Sequence, residues 1–393
     1  MQSAVNQTRW RIALFVIFSL PGMAISSWTS RTPEIRDILH ASTSVMGWII
    51  FGIAVGSIVG LLSASKLITR IGARSAILVS ILFIAAGMII VGAGVFLASK
   101  ALVLLGLIVF GLGYGVVEVG QNVEGAALEQ SLRKTVLPSL HASFSAGTLV
   151  GVGLGSVAIS LKMPVVVHLI LIAAMISIAL FIVIKYLPSG TGRAETNAAE
   201  GRSDASDRKS RVWRNPRLLF IGIIVLGMAL AEGTANDWLP IAFVDGYQVS
   251  HVAGTTIYGI FLAAMLAGRL SGGVFLDKYG RVPVLRVAAL LGLVGLAIVI
   301  FSGNLLLGAV GVFLWGLGAS LGFPVGLSAA GDDSRNAVQN VAFVSTIGYF
   351  AFLVGPPMIG LLGDQWGLLR ALIIVLAAIF IAGIFSSAAR KAN

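Results

Sequence analysis

The sequence has no cysteine and few charged residues. Lys and Arg number 27 and Asp and Glu 16 among 393 residues, so 11% of the chain is charged, against roughly 25% in an average soluble domain. The lack of cysteine excludes a disulfide scaffold. Hydrophobic residues make up 57%, which excludes a disordered chain and is more than a soluble enzyme of this length can bury. The composition therefore indicates a polytopic helical membrane protein.

Long apolar stretches provide the positive signal. Twelve of them have about 20 or more residues, the length that a helix needs to cross a bilayer. They lie at roughly 10–30, 44–65, 75–97, 101–126, 136–160, 164–187, 216–243, 250–275, 283–303, 305–330, 337–362 and 366–389. The segment 188–215 is rich in Ser, Gly, Ala and charge and predicts a solvated cytoplasmic linker. We therefore predict an all-α membrane protein with two six-helix bundles, residues 1–187 and 216–393.

The distribution of Lys and Arg predicts the orientation, because these residues favour cytoplasmic loops. With the N-terminus inside, most of the 27 basic residues fall on the inner side. Arg269 falls within or at the edge of the eighth stretch, and five residues fall outside: Arg31, Arg36, Lys100, Lys162 and Arg370. We therefore predict that both termini are cytoplasmic. The net charge of +11 is then a topology signal, and we expect a bilayer, not nucleic acid, as the partner.

The two halves of the sequence repeat one another. Four similarities recur in order at offsets of 201 to 208 residues: Pro33 with Pro240, Gly72 with Gly280, Gly111 with Gly316, and Gly147 with Gly348. A duplicated six-helix unit places a substrate site near the midplane between the repeats and permits alternating access by rocking.

Polar residues inside the fourth and fifth stretches are candidates for binding. Glu118, Gln121 and Asn122 are spaced i, i+3 and i+4, so they share one helix face. His141 lies in the fifth stretch and titrates in the physiological range when unperturbed. Ionisable residues inside a membrane are costly and usually functional, so we predict that these residues bind a proton or a polar solute. A structural acid paired with a neighbouring helix, and a histidine that only packs, are the alternatives.

The segment 273–281 (GVFLDKYGR) resembles the signature loop of the major facilitator superfamily, G-x-L-x-D-[RK]-x-G-[RK]. The resemblance implies that this loop braces the cytoplasmic closure, through the gating residues Gly273, Asp277, Lys278, Gly280 and Arg281. The copy in the first half departs from the pattern, because Thr69 stands where an acid is expected. Its candidate gating residues are Thr69, Arg70, Gly72 and Arg74. A basic turn that only anchors the inner side is the alternative.

The resemblance extends over the whole chain, with twelve spans, two halves and a central linker. It is closest to YbjJ-type bacterial inner-membrane facilitators, distant relatives of the fucose–proton symporter, in the segments 27–39, 118–127, 137–141, 232–240 and 315–324. This implies a monomer in the bacterial inner membrane. In the fucose branch an E-x-x-x-N pattern carries a protonatable Glu, which falls here on Glu118 and Asn122. The second acid of that branch falls at Thr29, so coupling by two acids is not implied.

The seventh stretch carries further candidates. Glu232 and Asn236 share a face near mid-membrane, and Asp237 lies about 7–8 Å further out. The repeat aligns Asp237 with Ser30, beside Arg31, and the first and seventh helices meet at the outer mouth in the superfamily. We therefore expect Arg31 and Asp237 to form an outer gate. Two tryptophans predict either stacking on a ligand or an interfacial aromatic belt: Trp28 and Trp238.

Several signals of enzymes are missing. The sequence has no phosphate-binding loop, metal cluster or catalytic triad, so we predict no enzymatic activity, no metal and no cofactor beyond a proton gradient. Three functions remain. The first is proton-linked transport of a small polar solute such as a sugar or cyclitol. The second is proton-antiport efflux of drugs or amphipathic metabolites, and the third is a sensor or scaffold that does not transport.

Overall fold

The structure, a computed structural model, describes residues 7–134, 136–193, 215–332 and 337–390. Twelve helical segments among them are long and apolar enough to cross a membrane. No strand occurs in these four ranges. The predicted all-α polytopic fold is therefore confirmed.

The first half consists of six long helices. They are α1 (Gln7–Ile38), α2 (Thr43–Ile71), α3 (Ala73–Phe96), α4 (Lys100–Leu132), α5 (Leu137–Ser160) and α6 (Val165–Val183), and a 3-10 turn (Ile184–Tyr186) follows. α4 packs against α2 and α3, and α1 packs against α5. α1 extends beyond the predicted limits of 10–30, so Arg31 and Arg36 lie on this helix and not in a loop.

The second half has the same order of spans with two interruptions. Its helices are α7 (Pro216–Gly246), α8 (His251–Tyr279), α9 (Arg281–Phe301), α10 (Leu305–Ala319), α11 (Gly322–Ala330), α12 (Ala337–Trp366), α13 (Leu368–Ala371) and α14 (Ile373–Phe385). α10 and α11 form one span, which is broken at Ser320 and Leu321. α7 packs against α8, α12 and α14.

Equivalent helices begin with equivalent caps. The hydroxyl of Ser42 accepts the N–H of Val45 at the start of α2, and Ser250 accepts that of Ala253 at the start of α8. A side-chain acceptor at this position satisfies an N–H that the helix itself leaves without a partner. Ser42 and Ser250 are separated by the same offset as the repeated motifs, so the repeat is present in the helix ends as well.

The chain divides into two compact units, Met1–Ala198 and Ala199–Asn393. Of the predicted linker, the structure describes 188–193 and Asn215; residues 194–214 lie outside the described ranges. Below, the first half means residues 7–193 and the second half residues 215–390.

Candidate functional site

The middle of α4 carries a polar cluster that extends to α5. Glu118 lies near the midpoint of α4, far from both Lys100 and Leu132. Asn122 donates from Nδ2 to the backbone oxygen of Glu118 at 2.7 Å. Its Oδ1 therefore faces away, and it lies 3.0 Å from Nε2 of His141 on α5. The structure thus brings three of the predicted residues together within one half.

Neighbouring side chains contact the cluster, but part of it remains exposed. Because Oδ1 of Asn122 is an acceptor, Nε2 of His141 is the donor in their hydrogen bond. The edge of the imidazole also meets Phe18 on α1, with ring centroids 5.3 Å apart. His141 is exposed and Glu118 is half-buried. Gln121, by contrast, is buried, and its Oε1 has no hydrogen-bond partner among the described residues.

The middle of α7 carries an ion pair. Glu232 lies near the midpoint of this helix, far from both Pro216 and Gly246. Its Oε1 accepts a hydrogen bond of 2.8 Å from Nη2 of Arg269 on α8. The sequence predicted a functional role for Glu232 but gave Arg269 none. The second half therefore has a mid-span ion pair between α7 and α8, whereas the first half has a hydrogen bond between the middle of α4 and the beginning of α5.

The polar face of α7 continues toward its C-terminal end. Asn236, one turn after Glu232, accepts a hydrogen bond of 3.2 Å from the buried hydroxyl of Tyr258 on α8. Asp237 is half-buried, and its carboxylate has no hydrogen-bond partner within the described ranges. The predicted face of Glu232 and Asn236 is thus directed at α8 by two separate contacts.

Arg31 is fully buried on α1, and its side chain has partners in the first half. Its Nη2 lies 3.0 Å from Oε2 of Glu34 and donates to the backbone oxygen of Met163. Nε and Nη1 have no hydrogen-bond partner among the residues described, and neither has either ring nitrogen of the neighbouring His168. The outer gate of Arg31 with Asp237 stays a prediction, since the acid paired with Arg31 in the structure is Glu34.

The two signature turns have the same backbone. Gly72 and Gly280 end α2 and α8 with φ of +83° and +77°, a region that glycine enters without steric strain. Each donates its N–H to the carbonyl four residues earlier, that of Ile68 at 2.8 Å and that of Leu276 at 2.9 Å. Gly273 is exposed, and a Cβ added there would meet nothing within 4 Å. The positive φ thus explains the glycines at positions 72 and 280, whereas no described contact explains the glycine at position 273.

The side chains of the first turn bond mainly to the backbone. Thr69, which replaces the expected acid, donates to the carbonyl of Lys66 at 3.0 Å. Arg70 is exposed. Arg74 donates to the carbonyl of Leu187, just after α6, at 3.3 Å.

The second turn has one strong charged contact. Nη1 of Arg281 lies 2.8 Å from both carboxylate oxygens of Asp332, which follows α11. Lys278 lies over the ring of Tyr279 at 5.1 Å, and Asp277 is exposed. Arg281 is therefore the predicted gating residue with the most direct link to another span.

Asp332 is also bound by Arg217 at the start of α7. Nη2 of Arg217 lies 2.9 Å from Oδ2 of the carboxylate, and the same guanidinium donates to the carbonyl oxygens of Ala388 and Arg390. Burial by itself would raise the pKa of Asp332. The hydrogen bonds and charges of Arg281 and Arg217 outweigh that effect, so its pKa lies below the ordinary value.

The two candidate tryptophans lie in the interior. Trp28 is 3% exposed and Trp238 is 0% exposed. Nε1 of Trp238 has no hydrogen-bond partner among the described residues. Stacking of either ring on a ligand stays a prediction, while burial gives each ring a packing role.

Sequence reasoning missed several polar partners, and two signals could have found the most important ones. Arg269 was the one basic residue left in a predicted span, and a charge at that depth requires a partner. Asp332 follows Glu124 at the offset already seen between the repeated motifs. Tyr258 and Arg217 had no signal of this kind.

Comparison with known families agrees with this architecture. A family model described as the Major Facilitator Superfamily matches residues 12–356. The chain belongs to the Major Facilitator Superfamily. Members are transporters of small-molecule solutes and are usually monomers, so the protein is a multi-pass membrane transporter and not an enzyme.

Curated relatives cover nearly all of the transporter. An uncharacterised transporter of the same superfamily from Yersinia pestis is 26% identical over 360 residues, which are 91% of this chain and 89% of the relative. An uncharacterised transporter from Sinorhizobium fredii is 27% identical, with 95% and 98% of the two chains covered. The membrane protein MosC of Rhizobium meliloti is 25% identical, with coverage of 92% and 85%. The YbjJ-type resemblance stays a prediction.

Solved structures share the fold of the transporter. The nucleoside transporter NupG has a TM-score of 0.74 at 14% identity, with 98% of this chain and 99% of that chain covered. The E. coli fucose:proton symporter FucP has a TM-score of 0.65 at 16% identity, with coverage of 97% and 98%. At these identities the likeness concerns the fold alone.

Proposed function

We propose that the transporter moves a small polar organic solute, such as a sugar or cyclitol, and couples its movement to protons by alternating access. The hydrogen-bonded group of Glu118, Asn122 and His141 carries this proposal. An amide and an imidazole offer both donors and acceptors to solute hydroxyls. The half-buried carboxyl beside them is a group that can take up and release a proton.

Energetics support a role for this acid. An ionisable side chain in the middle of a span is costly in hydrocarbon, and α4 would be stable with an apolar residue at position 118. The sequence has no phosphate-binding loop to use ATP, so the energy comes from a solute or ion gradient, and we propose protons because a carboxyl lies within the span. We also propose, from the positions of Lys and Arg, that the transporter lies in a bacterial inner membrane with its termini in the cytoplasm.

Proton flux into proteoliposomes tests the proposal. The protein is reconstituted with a pH-sensitive dye in the lumen, a pH gradient is imposed, and sugars, cyclitols, organic acids and cationic dyes are added in turn. We expect sugars or cyclitols to start a proton flux in the wild type. Glu118→Gln should abolish this flux while exchange of labelled solute continues, because the amide keeps the hydrogen bonds but cannot carry the proton.

A matched control lies on the same helix. Glu129 accepts the backbone N–H groups of Val136 and Leu137, and a glutamine oxygen can accept the same bonds, so Glu129→Gln should keep normal flux. An undiminished flux in Glu118→Gln would refute coupling at this site. Dye movement opposite to the protons, with no response to sugars or cyclitols, would favour efflux instead.

A further inference from the structure

The ion pair of Glu232 and Arg269 lies far from either end of its helices. Arg269 is well inside α8, which runs from His251 to Tyr279, and Glu232 is at the middle of α7. At this depth neither side chain can be assumed to be solvated by bulk water. Charges inside a bilayer are paired and usually mark a substrate or ion pathway.

The pair is only partly satisfied. One bond joins Oε1 of Glu232 to Nη2 of Arg269, and the two side chains are 17% and 35% exposed. Nε of Arg269 is 3.5 Å from the carbonyl of Ser320. Oε2 of Glu232 and Nη1 of Arg269 have no hydrogen-bond partner among the described residues. In a purely structural ion pair every polar atom would have a hydrogen-bond partner, whereas this pair leaves one acceptor and one donor available to a ligand.

The broken span lies next to the guanidinium. The helix stops at Ala319 and restarts at Gly322, so Ser320 and Leu321 leave the regular hydrogen-bond ladder. Irregular backbone at membrane depth is tolerated where it is buried in protein or lines a cavity, and such breaks form solute and ion sites in transporters. The position of Ser320 beside Arg269 is an observation independent of the ion pair, and it points to the same place.

Other charges near the pair are few. On α7 itself, Asp237 lies about 7–8 Å further along the helix. The remaining charged residues and the histidine of α7 and of the described helices that pack against it lie toward helix ends: Arg217 and Asp245 on α7, His251, Asp277 and Lys278 on α8, Asp364 on α12 and Arg370 on α13. Glu232 is therefore the acid that balances the charge of Arg269.

We propose that this pair binds a proton and a carboxylate of the solute together, with the solute carboxylate replacing Glu232 on Arg269 when Glu232 becomes protonated. The charge balances: the empty pair is one anion and one cation, and the loaded site is a neutral Glu232, a cationic Arg269 and the carboxylate. Either event alone leaves an uncompensated charge at low dielectric, so each favours the other.

The inference rests on the proposed function and narrows its solute class. The preferred solute is then a hydroxylated carboxylic acid, of the sugar-acid kind, and neutral sugars or cyclitols bind more weakly. A guanidinium suits this group because its planar donors match the two oxygens of a carboxylate.

Binding to the purified transporter in nanodiscs tests the inference separately from transport. Gluconate and glucuronate are compared with the neutral solutes glucose and myo-inositol by titration calorimetry at pH 5.5, 6.5 and 7.5. In the wild type, carboxylate affinity should rise as the pH falls, by up to about tenfold per pH unit for one linked proton. Affinity for the neutral solutes should change less with pH, because they carry no charge that competes with Glu232 for Arg269.

Two variants test the linkage to the proton and the binding of the carboxylate separately. Glu232→Gln should bind carboxylates at every pH without the slope, because the competing charge is gone. The double change Glu232→Gln with Arg269→Gln avoids a lone charge within the spans, so it should fold, keep its binding of neutral solutes and lose the carboxylate preference. Arg286→Gln is the control, since Arg286 lies near the start of α9 and contacts Ser386 after the end of α14, away from the pair, and it should match the wild type.

Two results would overturn the inference. One is the absence of any carboxylate preference in the wild type relative to the double variant. The other is a wild-type pH slope that persists in Glu232→Gln. Neutral solutes that drive proton flux in liposomes without any carboxylate preference would leave the proposed function standing while this inference fails. Carboxylate binding with the expected pH dependence, but without solute-driven proton flux, would support this inference and contradict the proposed function.

Discussion

At the signature turn, the first half is held largely by backbone contacts. The N–H of Ala73, the first residue of α3, donates to the carbonyl of Thr191 at 2.8 Å, and Arg74 donates to the carbonyl of Leu187. The short segment 187–193, which we call the strap, thus returns from α6 to the start of α3. It satisfies an N–H that the helix cannot satisfy itself.

The second half is held by charge at the same place. Arg281, the first residue of α9, shares the carboxylate of Asp332 with Arg217. The repeat aligns it with Ala73, and Arg74 is the next residue of α3. Glu124, 208 residues before Asp332, lies near Thr191, Trp10 and Arg74, but no contact of its carboxylate oxygens with the described residues has the geometry of a hydrogen bond. Both halves therefore have an acid and an arginine near this turn, but among the described residues the two form an ion pair in the second half alone.

The two halves also differ at an equivalent close contact between helices. A Cβ added to Gly60 on α2 would overlap the backbone carbonyl oxygen of Leu112. A Cβ added to Gly268 on α8, the repeat equivalent of Gly60, would overlap the hydroxyl oxygen of Ser320. The carbonyl oxygen of Leu317, the repeat equivalent of Leu112, lies 3.4 Å from that added Cβ. The nearest neighbour of the added Cβ is thus backbone in the first half and the Ser320 side chain in the second half.

The largest expected effect comes from an added methyl group at these two positions. Gly60→Ala should destabilise the protein by about 3 kcal/mol, because α2 and α4 must move apart to relieve a contact with backbone. Gly268→Ala should cost less, about 1.5 kcal/mol, because rotation of the Ser320 hydroxyl relieves the closest overlap and only Cβ of Ser320, 2.8 Å from the added methyl group, must still shift. Thermal unfolding midpoints of the purified variants in one detergent give the comparison.

The exposed Gly153 on α5 supplies the control, since a Cβ there meets nothing within 4 Å. Gly153→Ala should leave the midpoint unchanged or raise it slightly, because alanine favours helix. Equal losses for Gly60→Ala and Gly268→Ala would show that the two contacts are equally rigid and would remove this difference between the halves.

The two acids at the signature turns should respond in different ways. Asp332→Asn removes the carboxylate from Arg281 and Arg217, so we expect a loss of about 2 kcal/mol. Glu124→Gln should be neutral or stabilising, because it removes the cost of a buried charge and keeps an oxygen that can accept from the nearby Thr191 and Trp10. Unfolding midpoints at pH 7 test both changes, and a larger loss in Glu124→Gln would contradict the comparison.

Lowering the pH tests whether the charge of Asp332, and not the shape of its side chain, provides the stabilisation. Its folded pKa lies below the ordinary value of 3.8, so its stabilising contribution is fully present above that value and is lost as the pH falls through the lowered pKa. The midpoint difference between the wild type and Asp332→Asn should stay constant from pH 7 to pH 5 and shrink below about pH 4. A difference that shrinks as the pH rises would exclude this origin.

The sequence allowed the spans to be predicted because a helix in a bilayer satisfies its own backbone, so each apolar stretch can be recognised alone. Helical spacing also placed Glu118 and Asn122 on one face. The partner of Arg269 was not predictable in this way, because it depends on how α7 and α8 are rotated about their axes. The Glu34 contact of Arg31 has a local i, i+3 spacing of the kind that lets helix side chains meet, but the repeat alignment drew attention to Asp237 instead.

The smallest expected effect concerns the strap. Gly190 and Gly192 have φ of +102° and +73°, and a Cβ at Gly192 would also lie 2.8 Å from the side chain of Ile68. Gly192→Ala should cost about 1 kcal/mol and loosen the strap, so hydrogen exchange at the start of α3 should become faster. The start of α9, where no such strap is described, should exchange as before. Gly190→Ala carries the backbone strain without the contact, so exchange that accelerates equally in both variants would assign the effect to strain and not to packing on Ile68.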